Sequence, residues 1–225
     1  MKVSIVVPAH NEEDNIENFL LGLSKNFPES EIIVVCNGCT DKTPKIVKNI
    51  KLPKLRLLVF PERIGKGAAI LEGFKVSKND YIGFADADGA FGHEDMKKII
   101  KSLRKYDCVI ASKWKGQKFS SVSYPFKRKV MGRIWNFLVK SLLGLDIEDT
   151  QAGLKFLKKS VFDSIDKKFI CKGFDFDIEL LYKIKNNGFK IKEIYTPVKN
   201  TKKTSFKRIN SFRMFFNLLR LSLKI

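Results

Sequence analysis

Asp86-Ala87-Asp88-Gly89 sets two carboxylates one residue apart, directly after the apolar run Tyr81-Ile82-Gly83-Phe84-Ala85. The run reads as a buried strand. Carboxylates at the carboxyl end of a strand suit a hard divalent cation, Mg2+ or Mn2+, which takes oxygen ligands and can be held by one or two carboxylates plus substrate phosphates. A nucleoside diphosphate would bring those phosphates. Asp and Gly also form turns, so the same residues describe a plain turn, and only their company decides between the two readings. A second chemical pattern is Cys36-Asn37-Gly38-Cys39. Cys-x-x-Cys can be a redox pair or half a zinc site. Cys108 and Cys171 stand alone, and no second pair or nearby histidine completes a tetrahedral set, which argues against zinc.

The elements that must position these groups follow from periodicity. Val3 to Val7, Glu31 to Val35, Leu55 to Phe60, the run before Asp86, and Asp107 to Ala111 read as strands. Between them lie helical stripes: Ile16, Phe19, Leu20 and Leu23; then Ile46, Val47 and Ile50; then Ala68, Ala69, Leu71 and Phe74; then Met96, Ile99, Ile100 and Leu103. Asn11 is the expected N-cap of the first helix, and Thr40 or Asp41 of the second, which has Pro44 in its first turn. Alternating strands and helices predict an α/β fold with a mostly parallel sheet and helices on both faces. Ligands of such sheets bind outside the carboxyl ends of the strands. Pro8-Ala9-His10-Asn11, Cys36-Asn37, Gly65-Lys66-Gly67 and Asp86-Ala87-Asp88 all follow strands, so four polar loops should gather at one edge.

After Ser112 the pattern changes. Residues 113–129 read as a mobile basic loop. Lys127 to Leu143 reads as a helix with Val130, Met131, Ile134, Trp135, Leu138 and Leu142 on one face. Phe174 to Ile184 is a further helix, Lys190 to Thr196 a last strand. Phe212, Phe215, Phe216, Leu219 and Leu223 stand at helical spacing in the tail, among Lys207, Arg208, Arg213, Arg220 and Lys224. Asp175, Asp177 and Glu179 fit a helix N-terminus, and His93 a surface position.

At 225 residues and 44% hydrophobic, the chain can bury one good core and is not disordered. Residues 1–100 balance acids and bases, so the excess of +19 falls wholly in residues 101–225. The second half therefore faces something anionic: phospholipid, a phosphorylated substrate or nucleic acid. No apolar run is long enough to span a membrane. The N-terminus lacks a signal-peptide pattern, and the irregular cysteines suit a reducing, cytoplasmic setting. A basic nucleic-acid-binding module is the rival class, but no such motif is present.

The motifs together resemble family 2 glycosyltransferases of the GT-A fold, within them the polyprenyl-phosphate glycosyltransferases of the dolichyl-phosphate glucosyl and mannosyl branches. The resemblance runs through Val6-Val7-Pro8-Ala9-His10-Asn11-Glu12-Glu13, Gly65-Lys66-Gly67-Ala68-Ala69, Asp86-Ala87-Asp88-Gly89-Ala90, Asp149-Thr150-Gln151-Ala152-Gly153-Leu154-Lys155-Phe156 and Phe174-Asp175-Phe176-Asp177-Ile178-Glu179-Leu180-Leu181. It covers nearly the whole of residues 1–225, expected as a single GT-A domain with a nucleotide-sugar half (1–112) and an acceptor half (113–225). Cys36-Asn37-Gly38-Cys39-Thr40-Asp41 replaces the family's Asp-Asp-Gly-Ser-Thr-Asp, and Ser112-Lys113 its Ser-Arg. Lys keeps the charge of Arg but not its two-pronged geometry.

The resemblance implies a metal-dependent inverting transfer of a hexose from a nucleotide sugar, UDP-glucose ahead of GDP-mannose, to a polyprenyl phosphate. A glycan, protein or small alcohol is the alternative acceptor. Asp88 would ligate Mg2+ or Mn2+, and Asp86 would support the metal or ribose. Pro8, His10, Glu12, Asn37, Asp41 and Ala87 would hold the nucleotide sugar, with Lys66 on a phosphate. Lys113, Arg128 and Arg133 would hold the acceptor phosphate. Asp149 would act as base for an alcohol acceptor, or otherwise order the acceptor loop. The amphipathic segments from Lys127 and from Phe206 suit a peripheral position on the cytoplasmic face of a membrane, and no nucleic acid is expected as a partner.

Overall fold

A computed structural model describes residues 1–122, 125–198 and 208–223. Its sheet has seven strands in the order β3-β2-β1-β4-β6-β5-β7. These are β1 (Val3–Ala9), β2 (Glu31–Asn37), β3 (Leu55–Phe60), β4 (Tyr81–Ala85), β5 (Cys108–Ser112), β6 (Leu154–Lys158) and β7 (Ile191–Tyr195). All pairs are parallel except those of β6, which runs antiparallel to β4 on one side and β5 on the other. The expected parallel sheet is thus interrupted by a strand that periodicity did not reveal. Pro8 is tolerated in central β1 because the ladder to β4 ends at Val6, two residues before the missing N–H.

Helices α1 (Ile16–Asn26), α2 (Thr43–Asn49) and α4 (His93–Ser102) bury their stripes on one sheet face, with Ile16, Leu20, Val47, Met96 and Ile99 against Ile5, Val7 and Val34. On the other face lie α3 (Lys66–Val76), α5 (Phe126–Leu143), α6 (Lys159–Ser164), α7 (Phe176–Asn186) and α8 (Arg208–Ser222). The first helix begins later than expected. Asn11 does not cap it but adopts a left-handed backbone, φ 57°. Its side chain instead exchanges hydrogen bonds with Thr40, giving from Nδ2 at 3.0 Å and accepting the Thr40 amide at 2.8 Å. Asp41 does bond the start of α2, accepting from the Thr43 amide at 3.0 Å.

The expected apolar face of α5 is divided. Trp135, Leu138, Val139, Leu142 and Leu143 pack on the core, while Phe126, Met131, Ile134 and Phe137 point out. In α8, Met214, Leu218 and Leu221 are buried, and Phe212, Phe215, Phe216 and Leu223 are exposed. α5 and α8 pack on each other. Phe206, Lys207 and Lys224 lie outside the described residues. Among the described residues no helix is long and apolar enough to cross a membrane. The basic segment after Ser112 is partly built in: Trp114 and Val122 are buried, and Trp114 stacks on Phe119 at 6.1 Å between ring centres.

Candidate active site

The carboxyl ends of β1, β2 and β4, with the loops that follow them, meet at one edge. The first two loops are stitched together. The Glu12 amide donates to Thr43 Oγ1 at 2.8 Å, the Glu13 amide to Asp41 Oδ2 at 3.1 Å, and the Lys42 amide to Glu13 Oε2 at 3.0 Å. Asp41 accepts two main-chain N–H groups, from Glu13 and Thr43, so it works as a loop brace. His10 Nδ1 lies 2.8 Å from the Asn37 carbonyl oxygen. Asn37 is buried, and its side-chain oxygen accepts from the Ile64 amide at 2.8 Å. The oxygen through which Asn37 would meet a base thus already serves the turn before α3.

Asp86 follows β4, with its amide donating to the Gly153 carbonyl at 3.0 Å. A methyl group at Gly153 would sit 2.0 Å from Asp86 Oδ2, so only glycine leaves room for the carboxylate. Lys66 is bound to Asp86, with Nζ 2.7 Å from Oδ1 and 2.8 Å from Oδ2. The ammonium also lies over the Phe84 and Phe174 rings, at 5.9 and 5.8 Å. Burial would push Lys66 down, but the Asp86 and Asp177 carboxylates outweigh it and hold the ammonium above the usual lysine value. The glycines on either side of Lys66 serve packing. A methyl at Gly65, which has φ 101°, would meet the Lys172 carbonyl at 2.2 Å, and one at Gly67 would meet Phe176 at 2.2 Å. The first amides of α3 are spent on this seam, Gly67 on the Gly173 carbonyl and Ala68 on that of Lys172.

Asp88 is half-buried and accepts from the Ala90 amide at 3.0 Å, closing an Asx turn. The side chain of Ala87, between the two aspartates, is buried in the core. Burial pushes the Glu12 carboxyl up, and the charges of Asp88 and Asp86 push it the same way. Three carboxylates therefore share this corner electrostatically. Among the described residues no three His, Cys, Asp or Glu side chains form a ready metal cage. A hard cation held by Asp86 and Asp88 would complete its oxygen shell from a diphosphate, the way Mg2+ and Mn2+ are commonly bound.

Beneath the corner lies a charge network that the motifs did not disclose. Lys155, fully buried in β6, has Nζ 2.7 Å from Asp177 Oδ1 and donates to the Ala152 carbonyl at 2.5 Å. Burial pushes Asp177 up, while Lys155 and then Lys66 draw it down. Its neighbours are structural too: Asp175 accepts from Asn217 at 2.6 Å, and Glu179 from the Ile170 and Cys171 amides at 2.9 and 2.7 Å. These acids stand at the N-terminus of α7, as their spacing suggested, Asp175 at the N-cap and Asp177 and Glu179 in the first turn, and all three are buried as well. His93, half-buried with its ring 6.4 Å from Phe27, is not a plain surface residue.

Asp149 lies on the loop entering β6, with only 5% of it exposed. It is held from both sides. Lys113 donates to it from the amide at 3.1 Å and from Nζ at 2.9 and 3.2 Å. The Asp149 and Glu148 amides donate to buried Glu193 of β7, at 2.9 Å each. Sequence reasoning missed this Glu193 clamp, whose only signal is an acid inside a strand otherwise followed by bases. Arg133, on α5, lies over the Trp114 ring at 5.3 Å, which brings it to the neighbour of Lys113. Arg128 is exposed in the first turn of α5.

A family model described as Glycosyl transferase family 2 matches residues 4–166. The protein named dolichyl-phosphate beta-glucosyltransferase of Drosophila melanogaster is 28% identical over 92% of this chain and 70% of its own length. Polyprenol monophosphomannose synthase of Mycolicibacterium smegmatis is 26% identical over 84% of this chain and 74% of its own. Glycosyltransferase AglD of Haloferax volcanii is 28% identical over 86% of this chain, which spans only 32% of that protein. Among solved structures, glucosyl-3-phosphoglycerate synthase from Mycobacterium tuberculosis in complex with Mn2+ and UDP-glucose superposes over all of this chain and 79% of its own, with TM-score 0.74 and 19% identity, a likeness of fold. A family match over most of the chain, on a sheet of the GT-A kind, places the protein among the family 2 glycosyltransferases.

Proposed function

We propose that the protein transfers a hexose, glucose ahead of mannose, from a nucleotide sugar to a polyprenyl phosphate at an anionic membrane surface. The observation that carries the reading is the corner where Asp86, Asp88, Glu12 and Lys66 converge at the carboxyl end of β4. The polyprenyl-phosphate enzymes among its relatives support the acceptor, and the UDP-glucose and Mn2+ of the structural neighbour support the donor. Asp88 and Asp86 would hold Mg2+ or Mn2+, which when bound neutralises a diphosphate leaving group. Lys66 stands ready to share its charge between Asp86 and a phosphate oxygen. His10, Pro8 and the loop braced by Glu12 and Asp41 form the wall on which the nucleoside would lie.

An acceptor phosphate is already an anionic nucleophile, so it needs orientation more than a base. Lys113, Arg133 and Arg128 would give that orientation. Asp149 fixes the Lys113 ammonium, which favours the ordering role for this carboxylate. The exposed apolar residues of α5 and α8, set among Lys127, Arg128, Arg133 and Arg213, fit the headgroup boundary of an anionic bilayer.

The test is a screen of nucleotide sugars with Mn2+, with and without polyprenyl phosphate in detergent, on the natural chain and Asp88→Ala. Turnover of a UDP- or GDP-hexose that rises with the lipid phosphate and disappears in Asp88→Ala is the expected result. Turnover onto a glycan or alcohol and not onto the lipid phosphate replaces the acceptor. No cation-assisted uptake of any UDP or GDP compound overturns the reading.

A further inference from the structure

We propose that Cys36 and Cys39 form a dithiol modification site in the apolar layer behind the nucleoside wall, which closes to a disulfide by exchange with a low-molecular-weight disulfide and thereby weakens nucleotide binding. The second half of this statement rests on the function proposed above.

Cys36 is fully buried near the end of β2, and Cys39 is half-buried three residues later. Both side chains belong to the same apolar cluster on the α1 and α2 side of the sheet. The residues between them, Asn37 and Gly38, turn the chain, with Gly38 at φ 63°. Cys36 stands opposite Ala9 in the register of β1 and β2. The Cys39 thiol also faces the Ala9 carbonyl at 3.5 Å.

The pair is chemically unequal. Donation from Cys36 draws the Cys39 thiol down to about 6 against the opposing effect of burial, and the Asn11 and Asn37 amides add to the draw. The same contact, with burial, raises Cys36. Cys39, half-buried where Cys36 is fully buried, is also the more accessible of the two, so it is the attacking sulfur and Cys36 the resolving one. Burial lifts Cys108 to about 12 and raises Cys171 as well, so neither competes.

In the first step the Cys39 thiolate attacks one sulfur of the small disulfide. Its S–S bond breaks, a mixed disulfide forms on Cys39, and one small thiolate leaves. That thiolate takes the Cys36 proton. Cys36 then attacks Cys39 Sγ and expels the second small thiolate, which is protonated by solvent and replaces the proton Cys39 had lost. Two protein thiols are oxidised and one small disulfide is reduced to two thiols.

Closure acts on Asn37 because that residue lies between the sulfurs. Its carbonyl oxygen meets His10 and its side chain takes the Ile64 amide. Drawing Cys39 inward pulls its sulfur from Ala9 and shifts the turn that sets both contacts. Losing one such bond corresponds to a roughly five- to tenfold fall in affinity for a nucleoside diphosphate.

The experiment equilibrates the full chain in mixtures of oxidised and reduced glutathione, maps linkages by mass spectrometry, and measures UDP uptake with Mn2+ by calorimetry. Expected are a Cys36–Cys39 linkage with loss of two hydrogens, a five- to tenfold weaker UDP affinity, and full recovery on reduction. Cys39→Ser should keep the reduced affinity and ignore the oxidant. A folded protein that never forms this linkage, or that stops at a mixed disulfide on Cys39, overturns the proposal. So does a linked form that binds UDP as tightly as the reduced one. If the reduced protein takes up no UDP or GDP compound, the nucleotide reading falls instead, and the linkage map alone decides whether the dithiol exists.

Discussion

Lys155→Met should be among the most damaging single changes outside the corner itself. Lys155 has no exposed surface, and its ammonium sits 2.7 Å from Asp177 Oδ1, in a side chain only 4% exposed. Removing the lysine leaves a carboxylate, already pushed up by burial, with Lys66 as its next named cation. Breaking one partner from a buried pair costs about 3–5 kcal/mol, a large part of the 5–15 kcal/mol that holds a typical domain together. For a chain of this size each kcal/mol moves Tm by about 2–4 °C, so Lys155→Met should melt about 10 °C lower. Replacing both residues, Lys155→Met with Asp177→Leu, removes the stranded charge and should recover most of the loss, since an apolar substitute for a buried pair is often neutral. Urea titrations of the wild type, both single variants and the double variant give the coupling free energy, expected at about 2–3 kcal/mol with an unchanged slope. A Lys155→Met protein within about 1 kcal/mol of wild type, or a double variant as unstable as the sum of its singles, would refute the reasoning.

Gly153→Ala puts a methyl 2.0 Å from Asp86 Oδ2, so Mn2+-assisted UDP binding should fall at least tenfold while the helical circular-dichroism signal stays; calorimetry and spectroscopy check this together. Phe137→Glu and Phe216→Glu change side chains that are 68% and 61% exposed, so each should lower retention on anionic vesicles in a flotation assay while leaving Tm within about 1 °C. Asp107 is held below the usual carboxylate range by its hydrogen bond from Lys158 and then by the Lys190 amide. That stabilisation is present above the ordinary carboxylate value and is lost as pH falls through the lower folded value. Asp107→Asn should therefore be less stable than wild type at pH 7, and urea midpoints should converge below about pH 4.

The parts legible in the sequence are those whose cause is local. The strands β1 to β5 and the helices α1 to α4 announce themselves through the spacing of apolar residues, and the order of polar loops already places Asp86, Lys66 and His10 at one edge. β6 is not legible in this way. Leu154-Lys155-Phe156-Leu157-Lys158 carries a lysine where a buried strand should be apolar, and the lysine is tolerated only because Asp177 reaches it from a later helix. The start of α1 was misplaced for a similar reason. Asn11, Glu12 and Glu13 have the composition of a helix N-terminus, but their partners Thr40, Asp41 and Thr43 belong to the next loop. At the site, residue type was informative and pairing was not. Nothing near Asp149 signals that Lys113 and Glu193 hold it, or that Lys66 rests on Asp86.

The strand order also constrains how this chain could have been assembled. β5, from the first 112 residues, lies between β6 and β7, which come from the remainder, while β6 is wedged between β4 and β5. The two portions interlock like fingers of clasped hands. A gene fragment ending at Ser112 would present both flanks of β5 naked, and the complementary fragment would have two strands with nothing to join them. Neither portion is therefore a unit that could be exchanged by itself, and any change that leaves the sheet intact is confined to loops and helix surfaces.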